Sequence, residues 1–201
     1  MSLRTKFKKI LPEISRTEQE ALDAGDTWIE ASIYQGNPDF TTLLNTEPSK
    51  LTTEEQAFID GPLKELLEML DDMEVHNSNH IPPRVMQHLK DNKFFSFIIP
   101  KAFGGLEFSA YASSTIVAQI STKSNPIATT VMVPNSLGPG ELLAHYGTDE
   151  QKNHYLPRLV DGREIPCFAL TSPEAGSDAG GIPARAIVTK GTIDGKEVIG
   201  L

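Results

Sequence analysis

The 201-residue sequence predicts a mainly helical domain followed by the first strands of an incomplete antiparallel β-domain. Three observations support this prediction. Up to about residue 163, capping-box motifs and apolar residues three or four apart dominate, and both are typical of amphipathic helices. After that point the apolar residues gather in short runs, as in strands. An Asp-Gly pair at 194–195 then predicts a hairpin turn, because a type I′ turn needs positive φ at both central residues.

We divide the chain into an N-terminal extension (1–50), a helical domain (51–163) and the start of a β-domain (164–201). The extension consists of a basic arm, one helix and a linker. Its helix is predicted to begin at the capping box Ser15-Arg16-Thr17-Glu18 and to end at Gly36-Asn37-Pro38. Residues 36–51 are expected to be a linker or an irregular packing segment.

The helical domain is predicted to begin at a second capping box, Thr52-Thr53-Glu54-Glu55. Apolar residues from Ile59 to Met73 then form one helix face, and Pro62 within this pattern should kink the helix or split off its first turn. Pro82-Pro83 opens a shorter helix, since the first N–H groups of a helix have no helical partner. A loop that ends in Gly104-Gly105 follows, and glycine permits positive φ there.

Further helices are predicted near 109–122 and 126–146, although Pro134 and Pro139 interrupt the second. A third capping box at Thr148 opens a helix that should end near Gly162.

Two strands are predicted after the helical domain, Pro166–Thr171 and Ala184–Thr189. Cys167 lies on the first of them and is expected to be buried and inert. The sequence stops in the apolar stretch Val198–Leu201, and a two-stranded hairpin alone is marginal in water. We therefore expect this chain to be a fragment of a longer protein.

Composition excludes several classes of protein. Hydrophobic residues make up 39% and charged residues 22%, as in soluble globular proteins. The net charge of −9 argues against nucleic-acid binding, which depends on neutralising phosphates. The single cysteine excludes an internal disulfide and a CxxC metal site, and favours a reducing, cytoplasmic location.

No apolar run approaches the roughly 20 residues of a membrane helix. The basic amphipathic arm, Met1–Pro12, is expected to be solvated. Peripheral contact with an anionic inner membrane is the alternative.

The segment from Leu170 to Gly181 is the most informative for function. Gly176 lets the backbone approach a ligand closely, and the hydroxyls of Thr171 and Ser177 can donate hydrogen bonds in the same loop. Such a loop suits a planar cofactor with a polar edge, or an anionic group. From the residues alone, a turn capped by its own Ser, Thr and Asp side chains stays open as an alternative.

This segment resembles the first signature of the acyl-CoA dehydrogenase family. Segments similar to the family's first helix, its P-x-x-[FY]-G-G loop and its G-[ST]-x-E-Q-K…YLP…G stretch precede it in the expected order, at Thr52–Gln56, Pro100–Gly105 and Gly147–Gly162. The resemblance covers about residues 52–201. The extension at 1–50 and the amino-acid sequence of 132–139 resemble those of the large bacterial fatty-acid acyl-CoA dehydrogenases.

The resemblance implies an FAD-dependent enzyme that α,β-dehydrogenates fatty acyl-CoA to trans-2-enoyl-CoA in fatty-acid β-oxidation. It further implies that electron-transferring flavoprotein takes the electrons and that the full-length protein is a homo-oligomer. A related flavoenzyme of the superfamily, an acyl-CoA oxidase or a flavin monooxygenase, is one alternative. A helical interaction module without a cofactor is another.

The resemblance also implies roles for individual residues. The residue that matches Thr171 hydrogen-bonds the flavin ring near its reactive nitrogen, and those that match Phe168 and Leu170 line the flavin. The residues that match Gly176 and Ser177 contact flavin or CoA, which makes Ser177 a substrate-binding candidate as well.

Two residues depart from the family pattern. Ser172 stands where many members have Glu, and Phe168 stands where many have Tyr. The catalytic Glu of the family lies in a C-terminal helical domain, beyond Leu201. No residue of this chain is therefore assigned as the catalytic base, and the chain alone is expected to be inactive.

His76 and His80 are four residues apart, a spacing that can chelate a metal on a helix. The intervening Asn77-Ser78-Asn79 and the following Pro82 favour a loop instead. We therefore predict no metal site.

Overall fold

The computed structural model describes residues 29, 32–33, 36–136, 138–168, 171–176 and 181–200. The capping box at 15–18 and most of the first predicted helix lie outside these residues, as do Leu170 and Ser177. The chain divides into two compact units between Ser49 and Lys50.

The first unit contains a short helix, α1 (Phe40–Asn45), in the segment predicted to be a linker. Asp39 caps this helix, because its carboxylate accepts hydrogen bonds from the Thr41 N–H and the Thr42 hydroxyl, each at 3.0 Å. No residue of α1 is buried, so the cap rather than packing accounts for the helix. These six residues are therefore regular in structure, within the segment that the sequence predicts to be a linker or an irregular packing segment.

The second unit is mainly helical, with a short antiparallel hairpin at its end, which confirms the predicted fold class. Its helical elements are, in order, α2 (Thr53–Phe58), a π-helical turn (Ile59–Leu63), α3 (Lys64–Met69), α4 (Asp72–Ser78), α5 (Pro83–Asp91), a 3₁₀ turn (Lys101–Phe103), α6 (Ala110–Ser121), α7 (Asn125–Met132), α8 (Pro139–Tyr146) and α9 (Asp149–Val160). Within the described ranges, no helix combines the length and the apolar character that a membrane crossing needs.

Pro62 does not break the helix that the sequence predicts from Ile59, because the backbone stays helical on both sides of it. It lies inside the π-helical turn, and its carbonyl oxygen is 2.8 Å from Nε2 of His88. The helix continues as α3 and ends at Met69, where Leu70 is extended, and Asp71 caps a new helix, α4. Met73 is therefore on α4 and 62% exposed rather than part of the buried face, because the new cap resets the helix direction.

The predicted helix at 126–146 is two helices, α7 and α8, separated where Pro134 and Pro139 interrupt the pattern. The side chain of Asn135 fixes this junction. Its Oδ1 accepts a hydrogen bond from the Phe97 N–H at 2.6 Å, and its Nδ2 donates to the carbonyls of Phe94 and Val131 at 2.6 and 2.9 Å. Asn135 thus joins the end of α7 to the loop that follows α5.

An aromatic cluster forms the centre of the main core. The ring of Phe58 lies 4.9, 5.5 and 5.3 Å from the ring centroids of Phe94, Phe97 and Phe108, respectively. Aliphatic residues from α3, α5, α6 and α7 surround these rings. A second, smaller cluster joins Ile99 to residues of α9: Leu156, Leu159 and Val160.

Glu55 connects the beginnings of two helices. Its Oε2 accepts the Thr52 N–H at 2.7 Å, which completes the predicted capping box, and its Oε1 accepts the Ser109 N–H at the start of α6, also at 2.7 Å. Burial alone would raise the pKa of this carboxyl, but the hydrogen bonds from Thr52 and Ser109 outweigh burial and hold the pKa below its ordinary value. The buried carboxylate is therefore stabilised as an anion.

The two glycines of the loop after Pro100 have different functions. Gly104 has a φ of +88°, so it needs the freedom of glycine. Gly105 lies against the backbone of Ile99, and a Cβ at this position would be 2.0 Å from the Ile99 carbonyl oxygen. Only a glycine therefore fits at 105, for a steric reason that the sequence does not show.

The hairpin consists of β1 (Thr189–Ile193) and β2 (Lys196–Gly200), joined by the predicted Asp194-Gly195 turn. Both turn residues have positive φ, +51° and +76°. The strand predicted at 184–189 is displaced, because this turn sets the register and pairs Thr189 with Gly200. Residues 184–188 lie beyond the paired length.

We predict that Glu55→Gln lowers the free energy of unfolding by about 1.5–3 kcal/mol at neutral pH, since hydrogen bonds to a charged group are lost. The folded-state pKa of Glu55 is lowered, so the contribution of its carboxylate is complete above about pH 4.5 and declines as pH falls below that value. Urea unfolding at pH 7 and at progressively lower pH should show the gap between variant and wild type closing.

Glu54→Gln is the matched control for this experiment. Glu54 forms an exposed ion pair with Lys101, so its loss should cost at most about 1 kcal/mol. A stability gap for Glu55→Gln that stays constant from pH 7 to acid would contradict the double-capping role.

We predict that Gly105→Ala is the most destabilising of three glycine substitutions, at about 3 kcal/mol, because its Cβ would overlap backbone atoms. Gly104→Ala should cost about 1–2 kcal/mol for the left-handed backbone. Gly61→Ala, where a Cβ meets nothing within 4 Å, should be neutral or slightly stabilising. Thermal unfolding of the three variants gives this order, and equal losses at 104 and 105 would refute the steric explanation.

Candidate cofactor site

The candidate site begins where α9 ends. Gly162 follows that helix with a φ of +66°, and a Cβ there would be 2.8 Å from Cγ of Lys90. Arg158 then forms two hydrogen bonds with Glu164. Its carbonyl accepts the Glu164 N–H at 3.2 Å, and its Nη1 donates to Oε1 of Glu164 at 2.9 Å. The turn out of the helical domain is therefore fixed by both backbone and side chain.

The chain after this turn is not the predicted strand. Residues 165–168 and Thr171 have no regular secondary structure, because no strand of the described residues lies beside them to accept and donate hydrogen bonds. Cys167 is exposed, so the expectation that it is buried is wrong for the same reason. Phe168, one of the predicted flavin-lining residues, is 55% exposed.

A tight turn follows at Ser172–Ala175. The Ser172 N–H donates to the Ala175 carbonyl at 3.1 Å, and the Ala175 N–H donates back to the Ser172 carbonyl at 3.3 Å and to its Oγ at 3.2 Å. Pro173 occupies the second position of the turn, which its fixed φ suits. Ser172 thus closes the turn with its hydroxyl, and Ala175 is buried at its end.

Three of the predicted site residues are described, and each is exposed: Phe168, Thr171 and Gly176. The other two, Leu170 and Ser177, lie outside the described residues. The Thr171 hydroxyl forms no hydrogen bond with the described part of the chain, so it is free to donate to a ligand. A Cβ added at Gly176 would meet nothing within 4 Å, so the described chain itself does not require glycine there.

These features fit a planar cofactor with a polar edge. The exposed phenyl ring of Phe168, the hydroxyl of Thr171, which has no partner among the described residues, and the Cβ-free Gly176 lie within nine positions in the sequence.

Among the described residues, side chains with a shifted pKa are Asp39 in the first unit and Glu55, Glu74, Arg84 and Lys101 in the helical domain. The hydrogen bond from Arg84 lowers the pKa of Glu74, and the hydrogen bond to Glu54 raises the pKa of Lys101. Both pairs are exposed and stabilise the fold little. Among the described residues of the candidate segment, none combines burial with a charged partner in the manner of a tuned catalytic acid or base.

His76 belongs to α4, so the expectation of a loop is wrong at residues 76–78. His76, His80 and Asp72 line a surface cavity of about 400 Å³. Within the described residues, no three His, Cys, Asp or Glu side chains form a group that could hold a metal ion.

The Arg158–Glu164 pair and the Asn135 junction were not predicted from the sequence. A third such feature is Ser113, whose buried Oγ has no hydrogen-bond partner among the described residues and lies beside a cavity of about 320 Å³ between α6 and α7. None of these has a local signal, since each depends on residues that meet only in the folded chain.

Comparison with known proteins identifies the helical domain. The family model described as "Acyl-CoA dehydrogenase, N-terminal domain" matches residues 52–163. The chain is 33% identical over 155 residues to the probable acyl-CoA dehydrogenase FadE10 of Mycobacterium tuberculosis, which covers 76% of this chain and 23% of that protein. It is 39% identical over 114 residues to a 3-(aryl)acrylate reductase of Clostridium sporogenes, which covers 56% of this chain and 30% of the reductase.

A third relative is a subunit of the caffeyl-CoA reductase-Etf complex of Acetobacterium woodii, 36% identical over 120 residues, or 60% of this chain and 31% of that protein. The chain therefore spans less than a third of the length of these curated relatives.

Solved structures show the same fold. Butyryl-CoA dehydrogenase from Megasphaera elsdenii matches with a TM-score of 0.60 at 21% identity, over 76% of this chain and 40% of the other. An acyl-CoA dehydrogenase from Geobacillus kaustophilus matches with a TM-score of 0.56 at 24% identity, over 76% and 39%. With a family model that covers more than half of its residues, the chain belongs to the acyl-CoA dehydrogenase family.

Proposed function

We propose that this chain supplies the N-terminal helical domain and part of the FAD site of an oxidoreductase that acts on the Cα–Cβ bond of an acyl-CoA. Family membership supports the reaction class. The observation that carries the site is the exposed Thr171, whose hydroxyl has no hydrogen-bond partner among the described residues and which follows α9 in the sequence together with the exposed Phe168 and Gly176. Bound FAD would supply hydride transfer, and the protein would bind and orient it.

Each residue of the segment has a proposed role. Thr171 donates a hydrogen bond to the flavin ring, Phe168 and Leu170 pack against the flavin, and Gly176 and Ser177 contact flavin or CoA. The turn closed by Ser172 holds the segment between these contacts in one conformation. The catalytic base is not assigned to any residue of this chain.

For the direction of the reaction we propose dehydrogenation of a fatty acyl-CoA in β-oxidation, with electron-transferring flavoprotein as electron acceptor. We further propose a cytoplasmic homo-oligomer, with the basic N-terminal arm available for contact with an anionic membrane.

A second candidate is reduction of the Cα–Cβ double bond of an unsaturated acyl group. Two relatives that are 39% and 36% identical carry reductase names, 3-(aryl)acrylate reductase and caffeyl-CoA reductase. Both reactions exchange hydrogen at the same two carbons, so the same flavin contacts serve either direction.

The colour and redox behaviour of the complete oxidoreductase that contains this chain test the proposal, because the chain itself carries only part of the proposed FAD site and no assigned catalytic base. Bound yellow flavin that is bleached anaerobically by palmitoyl-CoA supports the dehydrogenase. Reoxidation of the dithionite-reduced protein by an aryl acrylate, without bleaching by palmitoyl-CoA, supports the reductase, and reoxidation by O₂ during turnover supports an acyl-CoA oxidase. A protein that neither contains nor binds flavin would overturn the proposal in favour of a helical interaction module.

We predict that Thr171→Val slows flavin reduction about ten-fold or more. The substitution keeps the shape and removes a donor whose hydrogen bond strengthens as the flavin gains charge, and each 1.36 kcal/mol is a factor of ten. Single-turnover reduction by acyl-CoA measures the rate. Thr171→Ser, which keeps the hydroxyl, is the control and should stay within a few-fold of wild type. An unchanged rate for Thr171→Val, with normal flavin content, would remove Thr171 from the site.

We predict that Gly176→Ala leaves the thermal stability of the chain unchanged but weakens its affinity for FAD. The added methyl group meets no atom of the described chain, so any loss must come from the ligand. Gly191→Ala, where a Cβ is equally unobstructed, is the control and should change neither quantity. Loss of stability without loss of FAD affinity would show that Gly176 has a conformational role instead.

A further inference from the structure

The described residues between Glu164 and Ser172 make no polar contact within the described chain. Residues 165–168 and Thr171 take part in no hydrogen bond or ion pair with that part of the molecule, and most of their side chains are exposed. The last polar contacts before this stretch are the two hydrogen bonds between Arg158 and Glu164. The first contact after it is the turn at Ser172–Ala175.

The Arg158–Glu164 hold closes a ring of seven residues. One side of the ring is the backbone hydrogen bond at 3.2 Å, and the other is the ion pair at 2.9 Å. Gly162 inside the ring has a left-handed φ of +66°, which turns the chain back toward Arg158. The direction in which the chain leaves Glu164 therefore depends on whether this ring is closed.

We propose that Arg158 and Glu164 are positioning residues for the segment that carries Phe168 and Thr171. The pair sets the direction of that segment from the rigid end of α9, whose Leu159 and Val160 pack in the second core cluster. The part of this inference that concerns FAD binding rests on the proposed function. The part that concerns the position of the segment does not.

The ordinary alternative is that the pair is one more half-exposed ion pair. Its side chains are 37% and 39% exposed, and many such pairs contribute nothing measurable. The neighbouring Arg163–Asp161 pair at 2.7 Å provides the matched control. It lies in the same turn and is more exposed, but it joins residues only two apart and closes no comparable ring.

Amide hydrogen exchange of the chain, measured without FAD, tests whether the Arg158–Glu164 pair stabilises the ring. Glu164→Gln should speed exchange of the hydrogen-bonded amides of the ring, at 161, 162 and 164, about two- to five-fold, the range expected for loss of a surface ion pair. Amides in the first turns of α9 should not change. Arg158→Gln should have the same effect, the double variant should be no faster than either single one, and Arg158→Lys should stay near wild type. Arg163→Gln should leave the exchange of the amide at 164 unchanged.

FAD titration of the same substitutions in the complete oxidoreductase tests the link to the cofactor, because this chain carries only part of the proposed FAD site. Affinity should fall about two- to five-fold in Glu164→Gln and Arg158→Gln, and recover in Arg158→Lys. Unchanged exchange in Glu164→Gln, or an equal effect of Arg163→Gln, would overturn the positioning role. Faster exchange with unchanged FAD affinity would overturn the link to the cofactor. If the complete wild-type protein binds no FAD, the proposed function fails, while the exchange data still decide the positioning role.

Discussion

The fold depends on one buried carboxylate. Glu55 accepts one backbone N–H at the start of α2 and another at the start of α6, where Ser109 is 54 residues away from Glu55 in sequence. The first N–H groups of a helix lack partners in the helix itself, so a single side chain satisfies donors of both. Phe58 ends α2 and Phe108 precedes the N-cap of α6, and their ring centroids are 5.3 Å apart. The carboxylate therefore links the same two parts of the chain that the aromatic cluster joins.

The loop before α6 connects the main core to α9, the helix that precedes the candidate site. Gly105 allows the Ile99 carbonyl to approach its backbone, and Ile99 in turn packs with Leu156, Leu159 and Val160 of α9. Arg158 lies between these buried residues on the same helix, with its side chain turned to Glu164. The exit of the chain from the helical domain is therefore connected to the main core through one loop and one helix.

Local signals in the sequence predicted local features well. The capping boxes at Thr52 and Thr148, the Asp194-Gly195 turn and the proline-opened helix α5 are all present, because each is decided by residues within one turn. The sequence pattern also indicated the family, which the comparisons establish.

Features that need a distant partner were missed or misplaced. The strand predicted at 166–171 has no neighbouring strand among the described residues, and Cys167 is exposed as a result. Asn135 joins backbone groups about 40 residues away, and nothing in its local sequence indicates those partners. Of the candidate site, the sequence indicated the segment and three described residues, but it could not show the Arg158–Glu164 ring that precedes them.

The π-helical turn at Ile59–Leu63 has a further consequence, for the way this domain can change in evolution. A π turn accommodates one residue more than an α-helix does, so deleting a single residue there would restore a regular helix without breaking the chain. One residue corresponds to about 100° of rotation, so everything before the deletion would turn by that angle relative to α3. Phe58 would leave the aromatic cluster, and Glu55 would lose its reach to Ser109. The length of this one turn is thus constrained although none of its residues contacts the candidate site, and homologous chains that share the double cap should tolerate neither insertion nor deletion between Phe58 and Leu63.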